Sequence, residues 1–153
     1  MQNEYLKLKG VYRFTLRDVN TGKERVFTYE NLIPTAGRSA IASWLSQASP
    51  SPASVRINKT ALGTGVNVPA NGDTQLQTET YRKDVASETN SNNVAYFTAF
   101  YTAPEVSGTF LEAGMFMNGS AGANTGTLFS RVAINITKST SETMTIDYTV
   151  TIT

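Results

Sequence analysis

Hydrophobic and polar residues alternate with a period of two along most of this chain. The clearest case is the C-terminus, where one face of the pattern is apolar and the other is occupied mostly by threonine. Such alternation predicts a long, half-buried antiparallel strand, since successive side chains of a strand point to opposite sides. The apolar face comprises Met144, Ile146, Tyr148, Val150 and Ile152.

The same alternation runs along residues 6–17. A turn with Asp, Asn and Gly follows at residues 18–23, and residues 25–30 read as a returning strand. These features predict a β-hairpin over residues 5–30, because the turn residues are those that tight turns favour. We expect one domain spanning residues 1–153, with residues 1–30 as an N-terminal hairpin extension.

Helical spacing of apolar residues occurs in one segment. It follows Pro34 and Thr35, which supply a start signal, and precedes Pro50 and Pro52, which supply a stop. This predicts one short helix over about residues 35–48, and we expect Trp44 to anchor it to a sheet, since large aromatic side chains mostly sit in cores. The apolar positions are Ala40, Ile41, Trp44, Leu45 and Ala48.

The remaining strands are short and separated by polar turns. We interpret residues 87–93 as a polar turn and residues 118–126, rich in Gly, Ser and Asn, as a loop too flexible to hold one shape alone. The pattern predicts an all-β antiparallel β-sandwich of about eight strands with one short inserted helix. A small barrel is the alternative. The further strands are predicted at residues 55–62, 76–86, 94–102, 109–117 and 128–136.

Composition narrows the chemistry. The 153 residues include no histidine and no cysteine, which excludes Ser-His-Asp and Cys-His catalysis, the usual structural zinc sites and disulfides. The acidic residues do not cluster. We therefore expect no enzymatic activity, no catalytic residues, no metal site and no cofactor. The formal net charge of +1 does not favour nucleic acid as a partner.

No apolar run is long enough to span a bilayer, and the first residues lack the features of a signal peptide. We therefore expect no membrane partner and synthesis in the cytoplasm of a cell.

Two charged residues interrupt otherwise apolar strands. Glu112 lies within a run of Phe, Leu, Ala and Met, and Arg131 lies within another apolar run. Charges placed in this way are costly unless they are paired, so we hypothesise that Glu112 and Arg131 pair across neighbouring strands. Glu79 and Arg82 form a second candidate pair. The alternative is that each charge faces solvent on an exposed sheet face.

Other polar residues are candidates for contacts in an assembly. A basic stripe on the first strand is either an anion-binding face or, more simply, a solvated sheet face. The loop at residues 118–126 and the threonine-rich strand faces could likewise meet neighbouring subunits. The candidate contact residues are Lys7, Lys9, Arg13, Arg17, Asn118 and Asn124.

Several short motifs, in their order and spacing, resemble a family of small structural proteins of tailed bacteriophages. More distantly, they are similar to the N-terminal attachment domain of phage tail-collar fibres. The resemblance covers about residues 31–153. The motifs are NLIPTAGR at 31–38, ALGTG at 61–65, DTQLQTE at 73–79, YRK at 81–83, LEAGMF at 111–116 and TLFSRV at 127–132.

The resemblance implies a non-enzymatic virion component that assembles with copies of itself and with other virion proteins of the tail, neck or capsid. A fibre would continue into a shaft, so the expectation is a small tail, neck, baseplate or fibre-attachment subunit located in the virion. A capsid decoration protein is the alternative. A further alternative is a carbohydrate-binding sandwich that recognises a host-surface glycan, with exposed aromatic residues as candidates. These are Tyr5, Tyr29, Tyr81 and Tyr101.

Overall fold

The computed structural model describes residues 5–46 and 55–153. Within them the chain forms two antiparallel sheets and one helix, which confirms the predicted all-β sandwich with a short helix. The elements are β1 (Leu8–Asp18), β2 (Glu24–Glu30), α1 (Thr35–Ser46), β3 (Ile57–Gly63), β4 (Glu79–Asp84), β5 (Ser87–Ser91), β6 (Val94–Tyr101), β7 (Gly108–Met117), β8 (Thr127–Lys138) and β9 (Glu142–Ile152).

The first sheet has five strands in the order β2-β1-β9-β6-β5. The C-terminal strand β9 lies at its centre, paired with β1 on one side and β6 on the other. Met144, Ile146, Tyr148 and Val150 of β9 are buried on the inner face, as the alternation predicts. The threonines of β9 therefore lie on the outer face of this sheet.

The second sheet has four strands in the order β4-β3-β7-β8. Its inner face, with Met115 of β7 and Ile134 of β8, joins the inner face of the first sheet in one hydrophobic core. The register of β7 with β8 shifts twice, so β8 carries bulges. One of these shifts brings Phe129 of β8 into the same core.

The N-terminal hairpin is an integral part of the sandwich and not an extension of it. Strand β1 lies between β2 and β9 and pairs with β9 along its whole length. Tyr12, Phe14 and Leu16 of β1 are fully buried. The interpretation of residues 1–30 as an extension is therefore wrong for the described part, because removing it would strip two strands from the five-stranded sheet.

Residues 87–91 form an edge strand rather than the predicted turn. Every residue of β5 is exposed, so the segment has no alternation of apolar and polar positions to reveal it. It is held by its antiparallel pairing with β6, and Asn92 makes the following turn with a φ of 50°. The polar turn that sequence patterning places here is thus confined to residues 92–93.

The helix begins at Thr35 as predicted and is described to Ser46. The rest of the predicted helix and its stop at Pro50 and Pro52 lie outside the described residues. The expectation that Trp44 anchors the helix is wrong, because its side chain is 42% exposed and does not join the core cluster. Instead Ala40 and Ile41 pack against the core, and Gly37 lies against the backbone of β8.

Candidate functional site

The outer face of the four-stranded sheet is covered by a loop. Residues 64–78, which we call the covering loop, place Leu76 in a second, small apolar cluster with Ala61, Phe116 and Leu128. All four side chains are fully buried. The loop is therefore packed onto the sheet like an element of the fold, although it contains no helix or strand.

Glu112 fastens both ends of the covering loop. Its Oε1 accepts a hydrogen bond from the backbone N–H of Gly65 at 3.0 Å and another from Thr78 at 2.7 Å. Its Oε2 accepts the N–H of Gln77 at 3.0 Å. Backbone N–H groups that are removed from water need a hydrogen-bond acceptor. The buried Glu112 carboxylate is that acceptor for N–H groups at both the start and the end of the loop.

Arg131 lies beside Glu112, as hypothesised from the two charges in apolar strands. Its Nε and Nη2 lie 3.1 and 2.9 Å from Glu112 Oε2, and the pairing arises because Arg131 is opposite Gly114, diagonal to Glu112. Arg131 Nη1 also donates to Asp73 Oδ2 at 2.7 Å, and Nη2 donates to the carbonyl of Asn67 at 3.1 Å. The guanidinium thus holds the middle of the covering loop.

The second candidate pair is also present. Arg82 Nε lies 2.6 Å from Glu79 Oε1 and Nη2 lies 3.0 Å from Oε2, a bidentate arrangement with both side chains buried. Residues three apart on a regular strand face opposite sides, but Thr80 forms a bulge here, since Gly63 pairs with Glu79 and Leu62 with Tyr81. The Arg82 guanidinium also lies 4.3 Å from the ring centre of Phe116.

This pair holds the short loop, residues 118–126. Arg82 Nη1 donates to the carbonyl of Thr125 at 2.8 Å, and Glu79 Oε2 accepts the N–H of Asn124 at 2.9 Å. Asn58 adds hydrogen bonds to the N–H and carbonyl of Gly119. The short loop therefore does not depend on its own sequence alone for its shape, because buried charged side chains from outside it supply the partners that this sequence lacks.

Asn118 and Asn124, expected as assembly contacts, have a backbone role that the sequence analysis missed. Their φ values are 53° and 55°, in the left-handed region that asparagine tolerates better than most residues. Asn118 is exposed and Asn124 is half-buried. That these two residues contact other subunits remains a prediction.

Lys138 is a buried charged residue that the sequence analysis did not identify. Its Nζ donates to the carbonyls of Ala103 at 2.8 Å and Val106 at 2.7 Å, and burial lowers the pKa of the ammonium group. The signal was available, because Lys138 continues the inner-face alternation of Ile134 and Ile136. It ties the connection between β6 and β7 to the end of β8.

The outer face of the five-stranded sheet has no covering loop among the described residues, and we call it the open face. On it, Lys9 lies 2.8 Å from Glu30, and Arg13 is opposite Asp147 in register. The basic stripe is thus partly neutralised, and Lys7, just before β1, is likewise exposed. The open face comprises residues 9, 11, 13, 15, 17, 24, 26, 28, 30, 87, 89, 91, 94, 96, 98, 100, 143, 145, 147, 149 and 151.

The aromatic residues expected to bind sugars do not share one exposed surface. Tyr101 is only 1% exposed, and burial raises its pKa well above the ordinary value. Tyr29 packs edge-on against Phe14 in the sandwich. Tyr5 and Tyr81 are exposed, but Tyr81 lies on β4 of the other sheet. The expectation is wrong for Tyr101, because it falls on the inner face of β6.

Comparison with protein-family models finds no match to the chain, and neither do comparisons with curated proteins and with solved structures. The described residues define the fold class: an all-β sandwich with two antiparallel sheets and one helix. Among the described residues, no helix is long and apolar enough to cross a membrane. In the same part of the chain, no three acidic side chains come together as a metal site would require.

Proposed function

We propose that the chain is a non-enzymatic structural component of a tailed-phage virion, acting as a small tail, neck, baseplate or fibre-attachment subunit. The observation that carries the proposal is where the resembling motifs fall. Asp73, Glu79, Arg82, Glu112 and Arg131 all belong to these motifs, and together they fasten the covering loop and the short loop. The charged residues of the motifs thus hold two surface loops in fixed positions on the four-stranded sheet.

A fixed surface suits assembly. A loop that is already ordered loses little conformational entropy when it binds a neighbour, so more of the contact energy appears as affinity. The covering loop carries two exposed apolar side chains near its start, Val66 and Val68, which are 72% and 83% exposed. Exposed valines on a fastened loop are the feature we assign to contact with another virion subunit.

The first test is the copy number of this chain in purified particles, measured by quantitative mass spectrometry, beside its mass in solution by light scattering. A copy number that matches the rotational symmetry of a tail or neck ring supports the proposal. Roughly hundreds of copies, as the symmetry of a shell requires, would instead identify a capsid decoration protein. Absence from particles would overturn both readings.

The contact itself is tested with Val68→Asp. A charge at this position should leave the fold intact, because the Val68 side chain is exposed, and should reduce incorporation into particles. The matched control is Val19→Asp, since Val19 is also exposed but lies in the turn after β1. Equal incorporation of Val68→Asp and the wild type would show that the covering loop does not form the contact.

A further inference from the structure

Two aromatic rings lie exposed on one strand of the open face. Tyr96 and Phe100 of β6 point to the same side and are each 42% exposed. They are four residues apart, which along a strand is about 13 Å. Thr98 lies between them, so the rings form two separate platforms and not one continuous apolar patch.

Threonine hydroxyl groups lie beside both platforms. Tyr96 lies between Thr89 of β5 and Thr149 of β9, and Phe100 is opposite Thr145. Threonine offers a hydrogen-bond donor and acceptor beside a methyl group. The strip formed by the outer residues of β9, β6 and β5 therefore alternates ring faces with hydroxyls.

One carboxylate is placed between the rings. Asp147 Oδ1 accepts a hydrogen bond from Thr98 Oγ1 at 2.8 Å, and Arg13 lies opposite Asp147 on β1. Asp147 is the one charged residue in this strip, because Glu88 of β5 faces the other side, where it pairs with Arg56. A half-buried carboxylate held in this way can accept hydrogen bonds from a ligand's hydroxyl groups.

We propose that this strip binds an uncharged oligosaccharide, and that this is a function beyond the structural role. Sugar rings present apolar C–H faces that stack on Tyr96 and Phe100, while their hydroxyls bond to the threonines and to Asp147. The charge of the strip favours an uncharged ligand, since Asp147, its one charged residue, lies opposite Arg13 of β1 and the two charges offset each other. A protein interface core would need contiguous apolar area, which Thr98 interrupts.

The test begins with an array of neutral and acidic bacterial polysaccharides, probed with the full chain. Calorimetry then measures the dissociation constant for an oligosaccharide from a retained neutral glycan. Tyr96→Ala and Phe100→Ala should each weaken binding about tenfold or more, because each removes one stacking platform. Asp147→Asn should weaken binding too. All three side chains are partly exposed on the sheet surface, so we expect the variants to fold, and circular dichroism checks the fold.

Tyr81→Ala is the matched control, since Tyr81 is 40% exposed but lies on the other sheet. Its dissociation constant should equal that of the wild type. The proposal is overturned if no neutral glycan is retained, if only acidic glycans are, or if Tyr81→Ala weakens binding as much as Phe100→Ala. It is also overturned if light scattering finds a dimer that Phe100→Ala dissociates, which would make the strip a protein interface. Particle incorporation is measured separately, so the two proposals can fail independently.

Discussion

Arg131 and Glu112 lie diagonally across β8 and β7 with Arg131 Nη2 2.9 Å from Glu112 Oε2, and their side chains are only 3% and 1% exposed. Removing two charges from water is costly, and the cost is recovered only where further hydrogen bonds complete the geometry. Here three backbone N–H groups of the covering loop supply those bonds. The pair therefore fastens a loop in a chain that has no cysteine with which to do so.

Glu112→Gln should destabilise the protein strongly. The amide keeps the shape but loses one acceptor and the negative charge, so Arg131 stays buried with Asp73 as its remaining carboxylate partner. We expect the free energy of unfolding to fall by about 3 kcal/mol, as when one partner of a buried pair is removed. Urea denaturation measures the change.

The control for Glu112→Gln is Glu30→Gln, which breaks the exposed pair with Lys9. An exposed ion pair contributes about 1 kcal/mol or less. Equal losses in the two variants would show that burial and the loop contacts of Glu112 add nothing to stability.

Arg82→Lys should loosen the short loop while the sandwich stays folded. Lysine keeps the charge but cannot hold Glu79 with a planar fork and bond Thr125 at the same time. Hydrogen exchange of the amides at residues 118–126 should become faster than in the wild type. Arg13→Lys on the open face is the control and should leave that exchange unchanged. Unchanged exchange in Arg82→Lys would mean that the loop is held by its other contacts.

Much of the fold could be predicted because burial follows the alternation so closely. The strands with apolar inner faces, such as β9, were recognisable by period alone. Strand β5 was not, because an edge strand exposed on both sides needs no apolar residue and is held by its backbone bonds to β6. The position of Trp44 could not be predicted either. Helical spacing shows which residues share a face of the helix, but not how far along the helix the contact with the sheet extends.

The candidate site was predictable in part. Glu112 and Arg131 were conspicuous as charges in apolar strands, and the cost of burying them implied a partner. The contact between Glu112 and the covering loop could not be predicted, because residues far apart in the chain form it only when the loop folds over the sheet. The geometry of Glu79 and Arg82 was equally hidden, since it depends on the bulge at Thr80.

Gly37→Ala should displace the helix from the sheet. A Cβ at this position would lie 2.7 Å from the carbonyl oxygen of Phe129, a backbone atom that cannot easily move. Overpacking of this kind costs about 1–3 kcal/mol. Thermal unfolding should show a lowered midpoint. The control is Gly72→Ala in the covering loop, where a Cβ would meet no atom within 4 Å, and which should leave the midpoint near that of the wild type.

Acid should destabilise the fold through carboxylates whose pKa values lie below their ordinary range. The side-chain hydrogen bond from Lys83 lowers the pKa of Glu105 from 4.5, and backbone N–H groups of Thr21 and Asn20 lower that of Asp18 from 3.8. In each case the unfolded chain binds protons first as the pH falls, so the stabilisation is complete above the ordinary pKa and is lost below it. We expect the contribution of these groups to be constant from neutral pH to about pH 5 and to fall below about pH 4.

The variant that isolates one of these carboxylates is Glu105→Gln. It removes the titrating group, so the free energy of unfolding should change less steeply between about pH 5 and pH 2 than in the wild type. Lys83→Met should flatten the same region, because without the ammonium group the pKa of Glu105 returns towards its ordinary value. Urea denaturation across this pH range gives the slopes. If both variants keep the wild-type slope, the hydrogen bond between Lys83 and Glu105 makes no contribution to stability in solution, and other carboxylates account for the loss in acid.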